Sequence, residues 1–273
     1  MKYLILMTGS FILILLTACS SNKAQRESAA KGSEIRVLCY NIHHANPPSK
    51  EGLIDMNAIA AVIKNSNPDL VALQEVDVNT TRSGSSLNQA EELARLTGMK
   101  AYFGKAIDYG GGGYGVAILS KFPMSEMKTH ALPSADGTNG EPRVVAVAEI
   151  RLPNGKQILF ASTHLDAQRA QTNRLLQINR IGEIFKDIKL PMIIAGDFNA
   201  DPTQETVTIL DKHFIRTCKT GCGFTIPNIN PRKTIDYIAF TPENAFKVTE
   251  HTVIKEEYAS DHLPVFSRLV YMD

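Results

Sequence analysis

From residue 34 onward, apolar and polar positions alternate between a two-residue and a helical period. Positions 34–42 are apolar and β-branched, predicting a strand that ends at Asn41. Asp55 can cap a helix running through Asn65, with Met56, Ile59 and Ile63 on one face and Pro68 beyond its end. Positions 70–73 predict a buried strand that delivers Gln74 and Glu75, and positions 89–96 a second helix stopped by Gly98. Strands over 101–107 and 115–119 flank the glycine run 110–113 as a hairpin, and the lack of a following helix argues against a phosphate-cradling loop. A second hairpin, 144–150 with 157–163, turns over Asn154-Gly155. Positions 171–185 place Leu175, Ile178, Ile181 and Phe185 on one side of a helix. Strands over 192–195, 234–240, 246–253 and 263–269 complete the set, and 221–232, with Pro227 and Pro231, is a long loop expected to line a site. Strands and helices interleave while hairpins also occur, which predicts a mixed two-sheet sandwich with helices outside.

The front of the chain follows another pattern. Met1-Lys2 precedes an apolar run from Leu4 to Leu16 and then Thr17-Ala18-Cys19, the order of a secretory signal. That run is short of the ~20 residues a membrane span needs. Leu16-Thr17-Ala18-Cys19 resembles a bacterial lipobox, in which Cys19 receives lipid and becomes the mature N-terminus. The expected organisation is a lipoprotein signal over 1–19, a polar flexible tether over 20–33 and one domain over 34–273. It implies a bacterial cell envelope protein, anchored to the membrane by lipid and facing the periplasm or the surface, and a monomer is expected because no amphipathic stripe is left over once the core is assigned. Cys218 and Cys222 bracket Lys-Thr-Gly, where an oxidising compartment favours a small disulfide over a metal-binding pair. Formal net charge is +1, so no global basic field draws in nucleic acid, which counts against an unselective nuclease.

Residues capable of metal and proton chemistry sit where the apolar runs end. Glu75 closes the run from Leu70, and a carboxylate there needs a cation or a buried donor. His164 terminates another strand. In Gly196-Asp197-Phe198-Asn199 the glycine permits a tight approach, while Asp197 and Asn199 offer a carboxylate and an amide to one small volume. Asp236 lies in an apolar run and needs a histidine or metal partner, and Asp261-His262 supplies both options. Brought together with Asn41, these groups make an oxygen-rich metal site with a proton-transfer partner beside it. Taken singly, Asn41 and the Gly196 tetrad also fit turns, and His164 a structural role. Arg82, Tyr114, Arg143, Arg174 and Lys233 are weaker candidates for pairing with substrate phosphates, with solvated surface charge as the alternative. Of His43 and His44, at most one is expected to point inward, because adjacent residues diverge in a strand.

The ordered set Tyr40-Asn41-Ile42, Leu73-Gln74-Glu75, Ser162-Thr163-His164, Gly196-Asp197-Phe198-Asn199, Ile235-Asp236-Tyr237 and Ser260-Asp261-His262 resembles the endonuclease/exonuclease/phosphatase superfamily. That group includes pancreatic-type deoxyribonuclease, inositol polyphosphate 5-phosphatases and neutral sphingomyelinases. The resemblance spans Ile35 to Phe266 and implies a four-layer αββα sandwich with its site at one edge of the two sheets. It also implies Glu75 as principal metal ligand with Asn41 and Asp261 assisting, and Mg2+ as the ion, Mn2+ or Ca2+ being possible substitutes. Asp197 would orient or deprotonate the attacking water and Asn199 would help position it. His262, fixed by Asp236, would contact the phosphate and assist proton transfer, while His164 would donate to a phosphate oxygen. Tyr114 resembles an active-site tyrosine of some members. The implied activity is hydrolysis of a phosphomonoester or phosphodiester by direct water attack. Its substrate would be a phospholipid head group, an inositol phosphate, a small diester or nucleic acid. An envelope or secreted nuclease is the alternative within the family, and a non-catalytic phosphate- or lipid-binding protein the alternative outside it.

Overall fold

Strands buried on both faces need cover on both sides, and this chain supplies it with four layers. The computed structural model describes residues 34–242 and 245–272; the expected signal, Cys19 and the tether lie outside the described residues. In chain order the first half contains β1 (Glu34–Asn41), α1 (Met56–Ser66), β2 (Leu70–Val78), α2 (Gln89–Thr97), β3 (Lys100–Tyr109), β4 (Gly112–Ser120) and β5 (Met124–Leu132). There follow β6 (Arg143–Arg151), β7 (Gln157–His164), α3 (Thr172–Phe185), β8 (Met192–Asp197) and α4 (Glu205–His213). The last elements are β9 (Ile215–Arg216), β10 (Asp236–Phe240), β11 (Phe246–Val253) and β12 (Val265–Tyr271). They form two mixed six-stranded sheets, ordered β11-β12-β1-β2-β4-β3 and β5-β6-β7-β8-β10-β9.

Alternation along each strand decides which layer a side chain joins. Ile35, Val37 and Cys39 of β1 pack between the sheets with Phe160, Ile193 and Ala195 from the second sheet. Leu38 and Tyr40 face the other way, against Ile59 and Ile63 of α1 and Leu93 of α2. On the far side, Val145, Ala161 and Ile194 pack against Ile178 and Ile181 of α3 and Leu210 of α4. The expected sandwich with outer helices is therefore the observed one. Local signals act as expected too: Asp55 accepts the Ala58 N–H to cap α1, and Gly98 ends α2 in a left-handed conformation.

Each sheet contains one parallel pair, β1 with β2 and β7 with β8, joined across α1 and α3. Parallel neighbours end on the same side, so Asn41 lies opposite Gln74, and His164 opposite Asp197. Antiparallel partners start where these strands end. Asp236, the first residue of β10, pairs with Asp197, and β12 begins with Val265 opposite Cys39, which brings Asp261 and His262 to the same edge. The loop over 221–232 clips this edge together: Leu263 donates its N–H to the Thr225 carbonyl and Asn228 to that of Asp261, each at 2.7 Å. Cys218 and Cys222, at the base of the loop, are joined by a disulfide.

Some elements depart from the expectation. Strand β5 was not foreseen because, as an outer edge strand, it is polar and largely exposed, with no apolar alternation to read. The short elements α4 and β9 were also missed; α4 lacks a side-chain cap. Glu75 does not end a strand. It is a bulge within β2, between Gln74 and Val76, with φ of 57°. Without the inserted residue, alternation would bury the Glu75 carboxylate in the apolar layer beneath α1 and α2, where Leu73 and Val76 now sit.

Gly196 tests how tightly the edge is packed. A Cβ there would lie 2.3 Å from the Thr163 carbonyl oxygen, a backbone atom of the neighbouring strand. Gly196→Ala is expected to destabilise the fold by roughly 2 kcal/mol or more in urea unfolding, at the upper part of the range for overpacked cores. A midpoint equal to that of the unsubstituted protein would contradict this packing.

Candidate active site

The strand ends converge on Asp197. Its Oδ2 accepts a hydrogen bond from Asn41 Nδ2 at 3.1 Å and lies 3.5 Å from His164 Nε2 and 3.7 Å from His262 Nε2. The other oxygen, Oδ1, accepts the backbone N–H of Asn199 at 2.8 Å, a turn that needs the positive φ of 49° that Asn199 adopts. Asn41 also donates to Glu75 Oε1 at 3.2 Å, so one amide bridges the two carboxylates that the separate sheets supply. Fully buried Gln74 extends the seam by donating to Ser162 Oγ across the sheets at 3.2 Å.

The two histidines are held in different states. Arg143 Nη1 lies 3.3 Å from His164 Nδ1 and can only donate to it, which leaves the His164 proton on Nε2, facing Asp197. Burial, reinforced by Arg143, lowers the His164 pKa well below its usual value, so this ring is neutral. His262 Nδ1 instead meets Asp236 Oδ2 at 2.9 Å. Burial opposes a charge on His262, but the Asp236 carboxylate outweighs it, with help from Asp197 and Asp261, and holds the pKa up at about 10. Burial and the neighbouring Asp236 charge push Asp197 up to about 7, against the pull of His262, the Asn199 N–H and Asn41. Burial also works against the Glu75 charge, yet the His44 imidazole beside it, then His164 and the Asn41 amide, outweigh it and lower its pKa. The trio Asp197, Asp236 and His262 is close enough to hold a metal ion. Its histidine and Asp236 are already paired and almost fully buried, whereas the Glu75 side chain is 24% exposed, so Glu75 is the better placed metal ligand.

Asn41, Glu75, His164, Asp197, Asn199, Asp236 and His262 thus lie together. Asp261 adjoins them, its charge acting on His262, but among the described residues its carboxylate has only the Ser260 hydroxyl, at 3.4 Å, as a side-chain partner. Asn199 donates one amide hydrogen to the Leu165 carbonyl at 2.9 Å, which fixes the side chain and leaves its oxygen and second N–H for a water. Arg143 is at the site, between Glu141 and His164, and buried Tyr114 feels both Arg143 and Glu75. Two of the weaker candidates, Arg82 and Arg174, have partners within the protein. The Arg82 guanidinium is held by buried Asp77 through contacts of 3.0 and 2.8 Å and lies over the Tyr109 ring, so it builds the wall behind Tyr114. Buried Arg174 donates to the carbonyls of Asp166, Gln168 and Arg169, shaping that loop and leaving little for a substrate. Lys233 is exposed just past the long loop, where its backbone pairs with Ile226. His43 and His44 lie in a tight turn and not a strand, so strand alternation does not separate them and their ring centroids are 4.5 Å apart; His44 approaches Glu75 while His43 Nδ1 bonds the Asn46 carbonyl. Sequence reasoning missed Asp77 and Gln89, which are buried polar supports with no local pattern to mark them.

A family model described as the endonuclease/exonuclease/phosphatase family matches residues 38–262. The inositol phosphosphingolipids phospholipase C of Schizosaccharomyces pombe is 26% identical over 195 residues, covering 64% of this chain but 43% of that protein. A phospholipase C of Staphylococcus aureus is 22% identical over 213 residues, covering 69% of this chain and 64% of its own. The chain therefore spans less than two thirds of the length of either relative. Among solved structures, a family protein from Bacteroides thetaiotaomicron superposes with a TM-score of 0.73 at 20% identity, over 89% of this chain and 100% of that one. A mannosyl-6-phosphatase from the same species gives 0.69 at 20% identity, over 87% and 100%. These two likenesses speak for the fold alone. With the match running through all six strand-end motifs, the chain belongs to the endonuclease/exonuclease/phosphatase family, a family of phosphoester hydrolases.

Proposed function

We propose that this protein hydrolyses a phosphoester by direct in-line attack of water, with a divalent metal ion held by Glu75, Asn41 and Asp261. The observation that carries this is the convergence on Asp197 Oδ2 of Asn41, His164 and His262 from strand ends of both sheets. The donors fit such an ion. Glu75, Asp197, Asp236 and Asp261 put four carboxylates around two cationic groups, Arg143 and His262, and burial, with the Asp236 charge added, raises the pKa of Asp197. When bound, the ion would neutralise charge on the phosphoryl and leaving oxygens. The attacking water is assigned to Asp197 Oδ2 beside the two imidazoles, whose Nε2 atoms lie 3.5 and 3.7 Å away and do not saturate that oxygen. Asp197 accepts the proton of that water as its oxygen attacks phosphorus. His164 donates an Nε2–H hydrogen bond to a phosphoryl oxygen, and cationic His262 passes its Nε2 proton to the leaving oxygen as the ester bond breaks. No serine or cysteine nucleophile takes part, so no phosphoenzyme forms.

The substrate we favour is the phosphodiester of a lipid head group. The names of the two phospholipase relatives and the formal net charge of +1 support it over polynucleotides. The lipobox-like segment supports anchoring through Cys19 in the cell envelope, and the Cys218–Cys222 disulfide is in keeping with an oxidising compartment.

Assays on sphingomyelin, bis-p-nitrophenyl phosphate, p-nitrophenyl phosphate and plasmid DNA are expected to give turnover that EDTA abolishes. Glu75→Ala should lower that turnover at least about a hundredfold; activity surviving either treatment contradicts the metal mechanism, and binding without turnover favours a non-catalytic protein. Asp197 gives a test with a sign. Raised from 3.8 to about 7, its carboxyl holds a proton more tightly in the folded chain, so ionising it lowers stability as pH climbs through that interval. Asp197→Asn, measured in EDTA, should abolish turnover yet gain ~1–3 kcal/mol over the unsubstituted protein at pH 8, the gain fading towards pH 4. A gain equal at both pH values would contradict the assignment. Cys19→Ala should move the protein from the membrane fraction to the soluble fraction on centrifugation, and retention in the membrane would remove the lipid anchor.

A further inference from the structure

The turn that follows β1 is strained in a way the hydrolytic mechanism above does not use. His43, His44 and Ala45 all have positive φ, at 45°, 42° and 59°, a conformation that non-glycine residues adopt at an energetic cost. The turn is held in place from outside. Fully buried Gln89, at the start of α2, donates its side-chain amide to the His44 carbonyl at 2.7 Å and accepts the Asp77 N–H at 2.9 Å. Asp55 adds a backbone bond to the Ala45 carbonyl at 2.7 Å. What this scaffold achieves is the placement of one side chain. His44 is nine-tenths buried, and its Nδ1 has no hydrogen-bond partner. That unpartnered nitrogen lies 3.9 Å from Glu75 Oε2, beyond hydrogen-bonding range. The other Glu75 oxygen is already occupied by Asn41 at 3.2 Å, so Oε2 is the one turned towards His44. The adjacent His43 spends its Nδ1 on the Asn46 carbonyl at 2.8 Å and takes no part.

A carboxylate oxygen and an unprotonated ring nitrogen at this spacing can both bind one ion, since ligand bonds of roughly 2.0–2.2 Å place two donors up to about 4.3 Å apart. Building on the metal-dependent reading of Glu75, we propose that His44 Nδ1 is a nitrogen ligand of the ion at Glu75. It gives the site a mixed nitrogen–oxygen donor set that favours Mn2+ and similar transition ions over Mg2+. Mg2+ is bound by oxygen ligands and retains water, whereas imidazole suits the transition ions and carboxylate suits Mn2+ as well. Coordination through Nδ1 keeps the ring proton on Nε2. Gln89 is a positioning residue, because it touches the turn and not the ion.

The test uses the metal alone, on EDTA-stripped full-length protein. Pulsed electron paramagnetic resonance of the Mn2+-loaded protein is expected to show coupling to a histidine nitrogen that His44→Gln removes. By calorimetric titration the same variant should lose about tenfold or more in Mn2+ affinity, and Mg2+ affinity should change less than threefold. Gln89→Leu, which frees the turn, should lose part of the Mn2+ affinity. Should His44→Gln fail to fold, coupling that persists in both His164→Asn and His262→Asn upholds the assignment to His44, and coupling lost in either one overturns it. Metal binding with no nitrogen coupling, or equal losses for Mn2+ and Mg2+, overturns the role of His44 while leaving Glu75 as a ligand. No binding of either ion to the unsubstituted protein overturns both.

Discussion

Two parallel strand pairs, one in each sheet, set the position of everything chemical in this protein. Hydrogen-bonded neighbours that run the same way must finish at the same edge, and β1, β2, β7 and β8 therefore present Asn41, the Gln74-Glu75 step, His164 and Asp197 together. Because β1 packs over β8 and β2 over β7, the two edges become one. The antiparallel strands β10 and β12 then enter from that side, carrying Asp236 and the Asp261-His262 segment. Rigid ladders hold Asn41, His164, Asp197 and Asp236, while Glu75 on its bulge, Asn199 and the Asp261-His262 segment depend on irregular backbone braced by neighbouring segments.

Strain collects at the same edge. Glu75 at the bulge, Asn199 after Asp197 and the three residues of the His43–Ala45 turn all hold positive φ without being glycine. Such conformations persist only where the surroundings over-determine them. Here the supports are visible: Asn41 and Asn199 bond the carboxylates, and Gln89 joins the turn to β2 through the Asp77 N–H. Asp77 in turn is tied by Thr80, Ser83 and Arg82, which fixes the segment behind Tyr114. Residues that never face the pocket thus decide the aim of those that do.

Electrostatics follow from this crowding. The chain as a whole is close to neutral, yet its edge buries carboxylates within a few ångströms of one another. Burial and like charge raise Asp197, while the Asp236 contact keeps His262 protonated, and Arg143 beside His164 keeps that second imidazole neutral. Burial is the larger cause at His164, with Arg143 second, so one pair of imidazoles is split into a cation and a neutral donor by environment alone.

The sequence by itself determined the layers and most of the site's membership. Near-continuous apolar runs such as Leu70 to Leu73 required strands covered on both faces, and an abrupt polar residue after each run marked Asn41, Glu75, His164 and Asp197. Asp55 and Gly98 set their helix ends through contacts within a single turn, which is why local pattern sufficed there. Polar edge strand β5 carried no such pattern and was missed. Arg82 and Arg174 looked like free cations because their partners, Asp77 and the carbonyls of the 166–169 loop, are fixed by how the chain folds back on itself. Only the tertiary structure decided that Glu75 leaves its strand through a bulge, that His44 and not His43 turns inward, and that Gln89 holds the turn. Each of those outcomes depends on contacts between segments far apart in the chain, and hydrophobic periodicity reports only on neighbours.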